Sequence, residues 1–371
     1  MAVARLLFYG YRLAQARAWW VMAWTRKEVG IVFGLSLTLL LLVCLVAEVG
    51  LALLRPAPVQ RDALLGWKLK ANYQREFAQQ SLGGATYPVS FATNDQGLRV
   101  FGSAAAPVKI LVLGDSFTAD PFASNDRMWY AAMAKRLAAR LNRPERDFYV
   151  MGGGGGGWGT YQNLLLSQEL APRLKPDLFV LQFCSNDFQN NSYDWESKSV
   201  ARGQFMRRPF FIAGAGHPQY AQGLLASIYR SILGESRLLN RVDGLIGSMQ
   251  VRRYGGYTQP LSPQLVAGYE SDSVALTQTL LTRLRRAYRA PAVMVNCDSR
   301  KVGPNRYWQE IARKAGFIPL GAPSDFLRSL KPRARNDVFN ADGAHLSEEG
   351  NALYGAIVGD AIASLRLLPS R

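Results

Sequence analysis

Histidine and cysteine are scarce in this chain of 371 residues, which has two histidines and three cysteines. Their spacing matches neither a zinc site nor a CxxC pair, so we expect no bound metal and no cofactor. If the protein uses an imidazole as a base, that base is His217 or His345. We expect the cysteines to be buried free thiols, although Cys184 and Cys297 could form a disulfide in an oxidising compartment.

Acidic residues are also few, 27 against 44 basic residues, which gives a net charge of +17. Six of the basic and two of the acidic residues precede residue 59, so most of the excess lies in the remainder of the chain. Such a surface favours polyanions. The sequence contains no nucleic-acid-binding motif, and we expect no nucleic-acid partner. We interpret the scattered basic pairs as solvated surface: Arg207/Arg208, Arg252/Arg253 and Arg285/Arg286.

One long apolar run without charge extends from Val29 to Ala47 and continues after Glu48 to Leu54. About 20 apolar residues suffice for a helix to cross a bilayer, so the run predicts a transmembrane helix over residues 29–54. A cleavable signal peptide is the alternative, but its apolar core is shorter and lies nearer the N-terminus. We therefore expect an uncleaved anchor and a lipid bilayer as a partner.

The basic, aromatic segment 1–28 fits a helix lying in the membrane interface on the cytoplasmic side, or a cytosolic extension of the same helix. Four Lys or Arg residues flank the apolar run on each side, within residues 9–28 and 55–74. The positive-inside rule therefore does not decide the orientation of the helix in the membrane. We favour a location outside the cytoplasm for the C-terminal part.

Apolar strands alternate with amphipathic helices after a lead-in segment that covers residues 55–106. This rhythm predicts one α/β domain over residues 107–371, with a parallel sheet covered by helices on both faces. The stretch of about 187–260 interrupts the rhythm, and we interpret it as a cap-like, partly helical insertion.

Polar groups follow three predicted strands at their carboxyl ends, where ligands bind in open parallel sheets. Asp115 and Ser116 follow the first strand, and Asn186 and Asp187 follow the third. The second strand leads into six consecutive glycines, Gly152 to Gly157. A flexible linker there would separate this strand from the helix that packs back on the sheet. We therefore interpret the run as a loop whose bare backbone approaches a ligand.

A carboxylate three residues before a histidine, Asp342 and His345, occupies a Gly-containing loop before the last predicted helix. At this spacing the carboxylate can accept a hydrogen bond from Nδ1 and leave Nε2 for a serine hydroxyl. Ser347 is predicted to cap the helix that follows. Alone this motif is weak, but together with Ser116 and Asn186 it favours acyl-transfer chemistry.

Four blocks in order, "VLGDSFT", "GWGT", "CSND" and "DGAH", resemble the signature blocks of the SGNH/GDSL hydrolase family. The resemblance implies a three-layer α/β/α flavodoxin-like sandwich with about five parallel strands. It also implies the following roles: Ser116 as nucleophile, Asp342 and His345 as the acid–base pair, and the N–H groups of Ser116 and Gly157 with the Asn186 amide as oxyanion hole. As neighbours of these residues, Asp115, Trp158 and Asp187 are candidates for contact with substrate. The family usually has Asn where Gly152 stands and often Gly where Cys184 stands.

The lead-in resembles that of membrane-anchored members that act on cell-envelope carbohydrate. We expect a serine esterase that cleaves acetyl or other O-acyl esters of carbohydrate or lipid, in the periplasm and anchored to a bacterial inner membrane. An O-acetyltransferase, supplied by a membrane-embedded acyltransferase, would use the same residues. A catalytically silent carbohydrate-binding subunit is a third hypothesis.

Two other site types fit the sequence poorly. The glycine run matches the dinucleotide-binding pattern G-x-G-x-x-G, but Asp177 begins the next strand instead of following it, and the P-loop lysine is missing. The α/β-hydrolase pattern G-x-S-x-G does not surround Ser116. Nucleotide binding is therefore not expected.

Overall fold

A computed structural model of the protein describes residues 25–54, 57–256, 258–297 and 303–368. The chain divides into two compact units, Met1–Pro56 and Ala57–Arg371. The first contains helix α1 (Arg26–Leu54), whose 29 residues span about 43 Å and are apolar enough to cross a membrane. The predicted N-terminal helix is therefore present. The expectation for segment 1–28 falls mostly outside the described residues.

A six-stranded sheet forms the centre of the second unit, in the order β10-β9-β8-β6-β7-β5. Five strands are parallel, and β5 pairs antiparallel with β7 at the edge. The predicted flavodoxin-like arrangement is confirmed, with one antiparallel strand added. The bounds are β5 (Arg99–Phe101), β6 (Val108–Gly114), β7 (Phe148–Gly154), β8 (Leu178–Phe183), β9 (Ala292–Asn296) and β10 (Ile318–Gly321).

Helices cover both faces of this sheet, because its central strands are apolar on both sides; every residue of β8 is buried. One face carries α4 (Thr160–Leu170), α10 (Pro263–Arg286) and α11 (Trp308–Ala315). The other carries α3 (Trp129–Arg140), α12 (Pro323–Ser329), α13 (Pro332–Val338) and α14 (Glu348–Ser364). Ser347 caps α14 as predicted, since its Oγ accepts a hydrogen bond from the Gly350 N–H at 3.2 Å.

The lead-in segment is structurally part of the sheet domain, although the sequence suggests a separate segment. It supplies the edge strand β5 and two hairpins, formed by β1 (Val59–Asp62) with β2 (Gly66–Leu69) and by β3 (Gln74–Gln80) with β4 (Thr86–Ala92). These hairpins lack the alternation of strand and helix that marks the parallel sheet, so the sequence pattern does not connect them to it.

The insertion after β8 is helical. It begins with α5 (Asn186–Asn191) and α6 (Tyr193–Glu196) and continues with α7 (Arg202–Arg207), α8 (Leu224–Ser231) and α9 (Arg237–Tyr254). The chain then returns to the sheet domain through α10, which Ser262 caps by accepting a hydrogen bond from the Leu265 N–H at 3.3 Å.

The six glycines do not form one loop, because β7 extends through Gly154. A Cβ at Gly152 would meet the Tyr130 ring at 2.5 Å, and one at Gly154 would meet the Asp115 carbonyl oxygen at 2.7 Å. Only the second half of the run forms the loop that precedes α4. The first half consists of glycines because neighbouring elements pack directly on the strand backbone.

The two core cysteines are paired and not free thiols as the sequence analysis expected. Cys184 and Cys297 form a disulfide across a Cα–Cα distance of 5.1 Å. They follow the neighbouring strands β8 and β9, whose register places Phe183 beside Asn296. The sequence could not decide this pairing, because it depends on which strands are adjacent. Cys44 in α1 is a free cysteine.

Candidate active site

Ser116 lies at the carboxyl end of β6, as the first residue of the short helix α2 (Ser116–Ala119). The preceding Asp115 caps this helix, because its Oδ1 accepts a hydrogen bond from the Phe117 N–H at 3.0 Å. The hydroxyl group of Ser116 is thus held at the strand end, facing the polar rim of the sheet.

His345 lies within hydrogen-bonding distance of this serine. Its Nε2 is 2.9 Å from Ser116 Oγ, although the two residues are 229 positions apart in the chain. Its ring also packs against the rings of Phe117 and Phe122, with centroid distances of 5.0 and 4.9 Å. The imidazole is therefore fixed on one side by the serine and supported by two aromatic rings.

Asp342 orients the other ring nitrogen of His345. The distance from its Oδ2 to His345 Nδ1 is 2.6 Å, and its Oδ1 accepts hydrogen bonds from the N–H groups of Ala344 and His345. The carboxylate thus holds both the imidazole and its own loop. Chemically, this arrangement lets the hydroxyl group of Ser116 lose its proton to Nε2 while the imidazolium stays paired with a carboxylate.

The pKa of His345 lies above its ordinary value of 6.5. Burial of the ring disfavours the charged form, but the hydrogen bond and the negative charge of Asp342 outweigh it, with smaller contributions from Asp120 and Asp115. Asp120 is fully buried beneath the serine, and burial raises its pKa to about 6. Hence the imidazole is a stronger base than a free histidine side chain.

The site also offers hydrogen-bond donors around the serine. Within the described part of the chain, the backbone N–H groups of Ser116 and Gly157 donate to no acceptor. The Asn186 amide borders the same cleft and makes one weak contact, 3.4 Å from Asp115 Oδ2. Three donors are therefore available for an oxygen atom that becomes negatively charged. Gly157 has a φ of +71°, a backbone conformation that favours glycine.

Two side chains of the insertion hold the loop that carries Gly157. Its carbonyl oxygen accepts hydrogen bonds from Arg208 Nη1 at 2.6 Å and from Asn190 Nδ2 at 3.0 Å. These bonds hold the loop at Gly157. The Gly157 N–H itself belongs to the preceding peptide group, whose carbonyl oxygen on Gly156 accepts a hydrogen bond from Trp67 Nε1 at 3.1 Å. The sequence analysis missed both Arg208 and Asn190.

Arg208 is fully buried, so the interpretation of the Arg207/Arg208 pair as solvated surface is wrong. Its guanidinium is 3.2 Å from the buried Glu196 carboxylate and donates to Gln162 Oε1 at 3.0 Å. It also lies over the Trp67 ring at 5.3 Å. A buried arginine with this many partners fixes one arrangement of the insertion against the glycine loop.

We expect Arg208→Lys to lower kcat for a small ester about 10-fold or more with little change in KM, because one ammonium cannot replace the planar guanidinium fork and the loop that carries the Gly157 N–H is held less firmly. The control is Arg207→Lys. Arg207 also lies over Trp67 at 5.3 Å but donates to Gly203 and Gly234 instead of Gly157. Equal kcat values for the two variants, measured well below their unfolding temperatures, would contradict this role.

The three predicted neighbours occupy different positions. Asp115 borders the cleft but is buried, and burial raises its pKa. Substrate contact is not supported for Trp158 and Asp187. Trp158 packs in the core and donates from Nε1 to the Trp67 carbonyl oxygen at 3.1 Å. Asp187 is buried and accepts a hydrogen bond from Thr160 Oγ1 at 2.9 Å, and burial raises its pKa strongly.

The lead-in segment supports the site from behind. The buried Arg99 donates to the carbonyl oxygens of Asp120 and Ala123, in the loop that follows α2. The β3–β4 hairpin bonds to the loop before His345, since the Ala341 N–H donates to the Gln80 carbonyl oxygen at 2.9 Å. The sequence analysis noted a resemblance of the lead-in to that of other family members, but it assigned Arg99 and Gln80 no role, because their partners lie far away in the chain.

A cleft of about 600 Å³ opens in front of the serine. The strand ends of the sheet contribute Ser116 and Gly157, and the insertion contributes side chains rich in amide and hydroxyl groups: Asn186, Gln189, Asn190, Ser199, Gln204 and Thr258. Trp195 and Arg328 complete the wall. Such a lining can hydrogen-bond a polyhydroxylated molecule along its length.

The activity of the site should depend on pH through His345. Since the neutral imidazole must accept the proton, kcat/KM for a small ester should fall with decreasing pH, with an apparent pKa above 6.5. Asp342→Asn removes the charge that raises this pKa. In this variant the apparent pKa below which kcat/KM falls should therefore move to lower pH. The maximal kcat/KM at high pH should fall by a factor on the order of 10² or more. A shift of this apparent pKa to higher pH would contradict the role of Asp342 as the partner of His345.

The family comparison agrees with this geometry. The model of the GDSL-like Lipase/Acylhydrolase family matches residues 112–353, more than half of the chain. The matched range contains the serine and the histidine loop. Comparison with curated proteins gives no match.

Several solved structures share a distant likeness with the chain. TesA matches at 15% identity and a TM-score of 0.39, covering 69% of this chain and 99% of TesA. The psychrotrophic esterase EstA from Pseudoalteromonas sp. matches at 14% identity and a TM-score of 0.38, covering 70% of this chain and 98% of EstA. A catalytic mutant of Axe2, an acetylxylan esterase from Geobacillus stearothermophilus, matches at 15% identity and a TM-score of 0.35, covering 73% of this chain and 99% of Axe2. The family model therefore carries the assignment: this chain belongs to the GDSL-like lipase/acylhydrolase family and is a serine ester hydrolase.

Proposed function

We propose that the protein is a membrane-anchored esterase that removes acetyl or other short O-acyl groups from carbohydrate of the cell envelope. The observation that carries the proposal is the chain of contacts from Ser116 Oγ to His345 Nε2 at 2.9 Å and from Nδ1 to Asp342 at 2.6 Å. These three side chains lie at the carboxyl ends of the strands, beside three hydrogen-bond donors that are free or weakly engaged.

In the proposed reaction, Ser116 Oγ attacks the ester carbonyl carbon while its proton passes to His345 Nε2. Asp342 stabilises the imidazolium, and the N–H groups of Ser116 and Gly157 with the Asn186 amide stabilise the oxyanion. The imidazolium then gives its proton to the leaving alcohol, and an acyl-serine remains. Water, deprotonated by the same imidazole, releases the carboxylic acid and restores the serine.

The lining of the cleft supports a polar substrate. Its amide and hydroxyl side chains can bond sugar hydroxyl groups, and Trp195 offers an aromatic face to a sugar ring. The net charge of +17 favours an anionic polymer over a neutral one. We therefore propose an acylated, preferably anionic, polysaccharide as substrate.

Two features support a location outside the cytoplasm. The Cys184–Cys297 disulfide is typical of an oxidising compartment. Helix α1 is long and apolar enough to act as an anchor that is not removed. Together they favour the outer side of a bacterial inner membrane, where cell-envelope polysaccharide passes.

The test is incubation of the full chain in detergent with acetylated and deacetylated oligosaccharides, followed by mass spectrometry. We expect the mass of acetylated oligosaccharides to fall with time by about 42 Da for each acetyl group removed, with release of acetate. Gain of acetyl groups by deacetylated oligosaccharides in the presence of an acetyl donor would instead identify an O-acetyltransferase. No change on any oligosaccharide, in a sample that hydrolyses aryl acetates, would exclude the carbohydrate substrate.

A further inference from the structure

Helix α9 of the insertion presents an apolar stripe to the outside. Its exposed apolar residues recur every three or four positions, as on one face of a helix. Their exposed fractions reach 62% and 67% at Leu245 and Met249, and the stripe consists of Leu239, Val242, Leu245, Ile246 and Met249.

No residue of α9 is fully buried, and its domain-facing contacts are partly polar. Asn240 Nδ2 donates to the Gly234 carbonyl oxygen at 2.9 Å, and the Asp243 carboxylate lies beside the backbone of Gly203, while Val251 and Tyr254 are half-buried. A helix at the surface of a soluble domain usually turns its main apolar stripe inward. We therefore expect the exposed apolar stripe to contact a partner other than water.

The preceding helix α8 adds a second exposed apolar row. Leu225, Ile228 and Ile232 are 67%, 38% and 69% exposed, whereas Ala226 and Tyr229 face the domain and are buried. The two helices are separated only by the short segment 232–236. We call the outward apolar residues of both helices the α8–α9 surface.

The charges near this surface are mainly positive. Arg241, Arg252 and Arg253 are exposed on α9. The acidic residues of 224–254 are Glu235, which accepts from the Arg61 N–H at 3.1 Å, and Asp243, which faces inward. Apolar side chains flanked by arginine are typical of helices that lie in an anionic membrane interface.

The hairpin strand β1 holds the chain where α8 ends. Arg61 donates from Nη1 to the carbonyl oxygen of Ser231 at 2.9 Å, which fixes the segment between α8 and α9 on the domain.

We propose that the α8–α9 surface docks on an anionic lipid bilayer, with its apolar side chains among the headgroups and its arginines on lipid phosphates. The inference rests on the membrane anchoring proposed above. Since the insertion also lines the cleft, with Trp195, Gln204 and Thr258, docking would give the cleft a fixed orientation toward polymer at the membrane surface.

The test uses the full chain in vesicles of phosphatidylcholine and phosphatidylglycerol that contain brominated lipid. An environment-sensitive fluorophore is attached to Cys44 in the wild-type chain, and to Leu245→Cys, Met249→Cys or Arg140→Cys in a Cys44→Ser background. Arg140 on α3 is the control, since its side chain is 54% exposed on the sheet face opposite α10. Turnover of an aryl acetate establishes that each labelled variant is folded.

We expect lipid quenching at Cys44 and, at positions 245 and 249, at least about twofold more quenching than at position 140. Replacing phosphatidylglycerol by phosphatidylcholine should weaken the quenching at 245 and 249 but not at Cys44. Quenching at Cys44 alone would overturn the docking proposal and leave the anchor intact. Absence of quenching at all positions would overturn both, and cross-linking between 245 positions of two copies without lipid quenching would assign the surface to self-association.

Discussion

Replacing Ser116 by alanine should reduce the hydrolysis of an aryl acetate by about 10³-fold or more. The substitution removes the oxygen that lies 2.9 Å from His345 Nε2, and no acyl-enzyme can form. A fluorophosphonate should label the wild-type chain once per active site and leave Ser116→Ala unlabelled. Initial rates and the mass of the intact protein measure the two effects.

The matched control is Ser199→Ala, since Ser199 borders the same cleft and its Oγ accepts a hydrogen bond from the Ala201 N–H at 3.1 Å. This variant should stay within a few-fold of wild type, because it loses one hydrogen bond worth about 1 kcal/mol and no contact with Ser116 or His345. If Ser116→Ala kept most of its activity, or if folded wild-type protein resisted labelling, the nucleophile would be another group. In the latter case the silent, carbohydrate-binding subunit would become the better description.

Replacing His345 by alanine should reduce aryl acetate hydrolysis by a comparable factor, about 10³-fold or more, because no other base lies beside Ser116 Oγ in the described structure. Both acylation and deacylation need the imidazole, so a pre-steady-state burst should also disappear. The loop itself should persist, since the Asn340 N–H bonds the backbone carbonyl of residue 345 and not its side chain.

His217 provides the control, as the other histidine of the chain. It lies in the insertion, is exposed, and contacts its own loop, with Nδ1 at 3.0 Å from Gln219 Nε2. His217→Ala should therefore keep wild-type kcat/KM within about twofold. Similar losses in the two histidine variants would show that the insertion histidine takes part in the reaction and that the contact seen for His345 is not sufficient.

The strand and helix pattern could be predicted well because it depends on neighbours in the chain. Continuous apolar residues mark β6 and β8, and serine caps mark the starts of α10 and α14. The same local signals placed Ser116, Asn186 and the Asp342–His345 loop at strand ends and a helix start. Their meeting at one rim follows from parallel topology, which fixes where strands end.

The glycine run shows where local signals fail. Its composition suggested one loop, and only packing separates the strand glycines beneath Tyr130 and Leu166 from Gly157 in the loop, which lines the cleft. Trp158 looked like a cleft residue because it neighbours Gly157, but it points into the core toward Trp67. Adjacent residues in a loop point in different directions, and the sequence carries no record of which side is the cleft.

The sequence by itself determined the chemical groups of the site, the α/β order of the domain and the apolar N-terminal helix, because each is encoded within a few adjacent residues. Tertiary structure alone decided the Cys184–Cys297 pairing, the burial of Arg208 and its bond to Gly157, 51 residues away. Those features depend on the path of the insertion back over the sheet. Burial turns an arginine that would be solvated on a surface into the group that holds the oxyanion loop, and burial is a property of the fold.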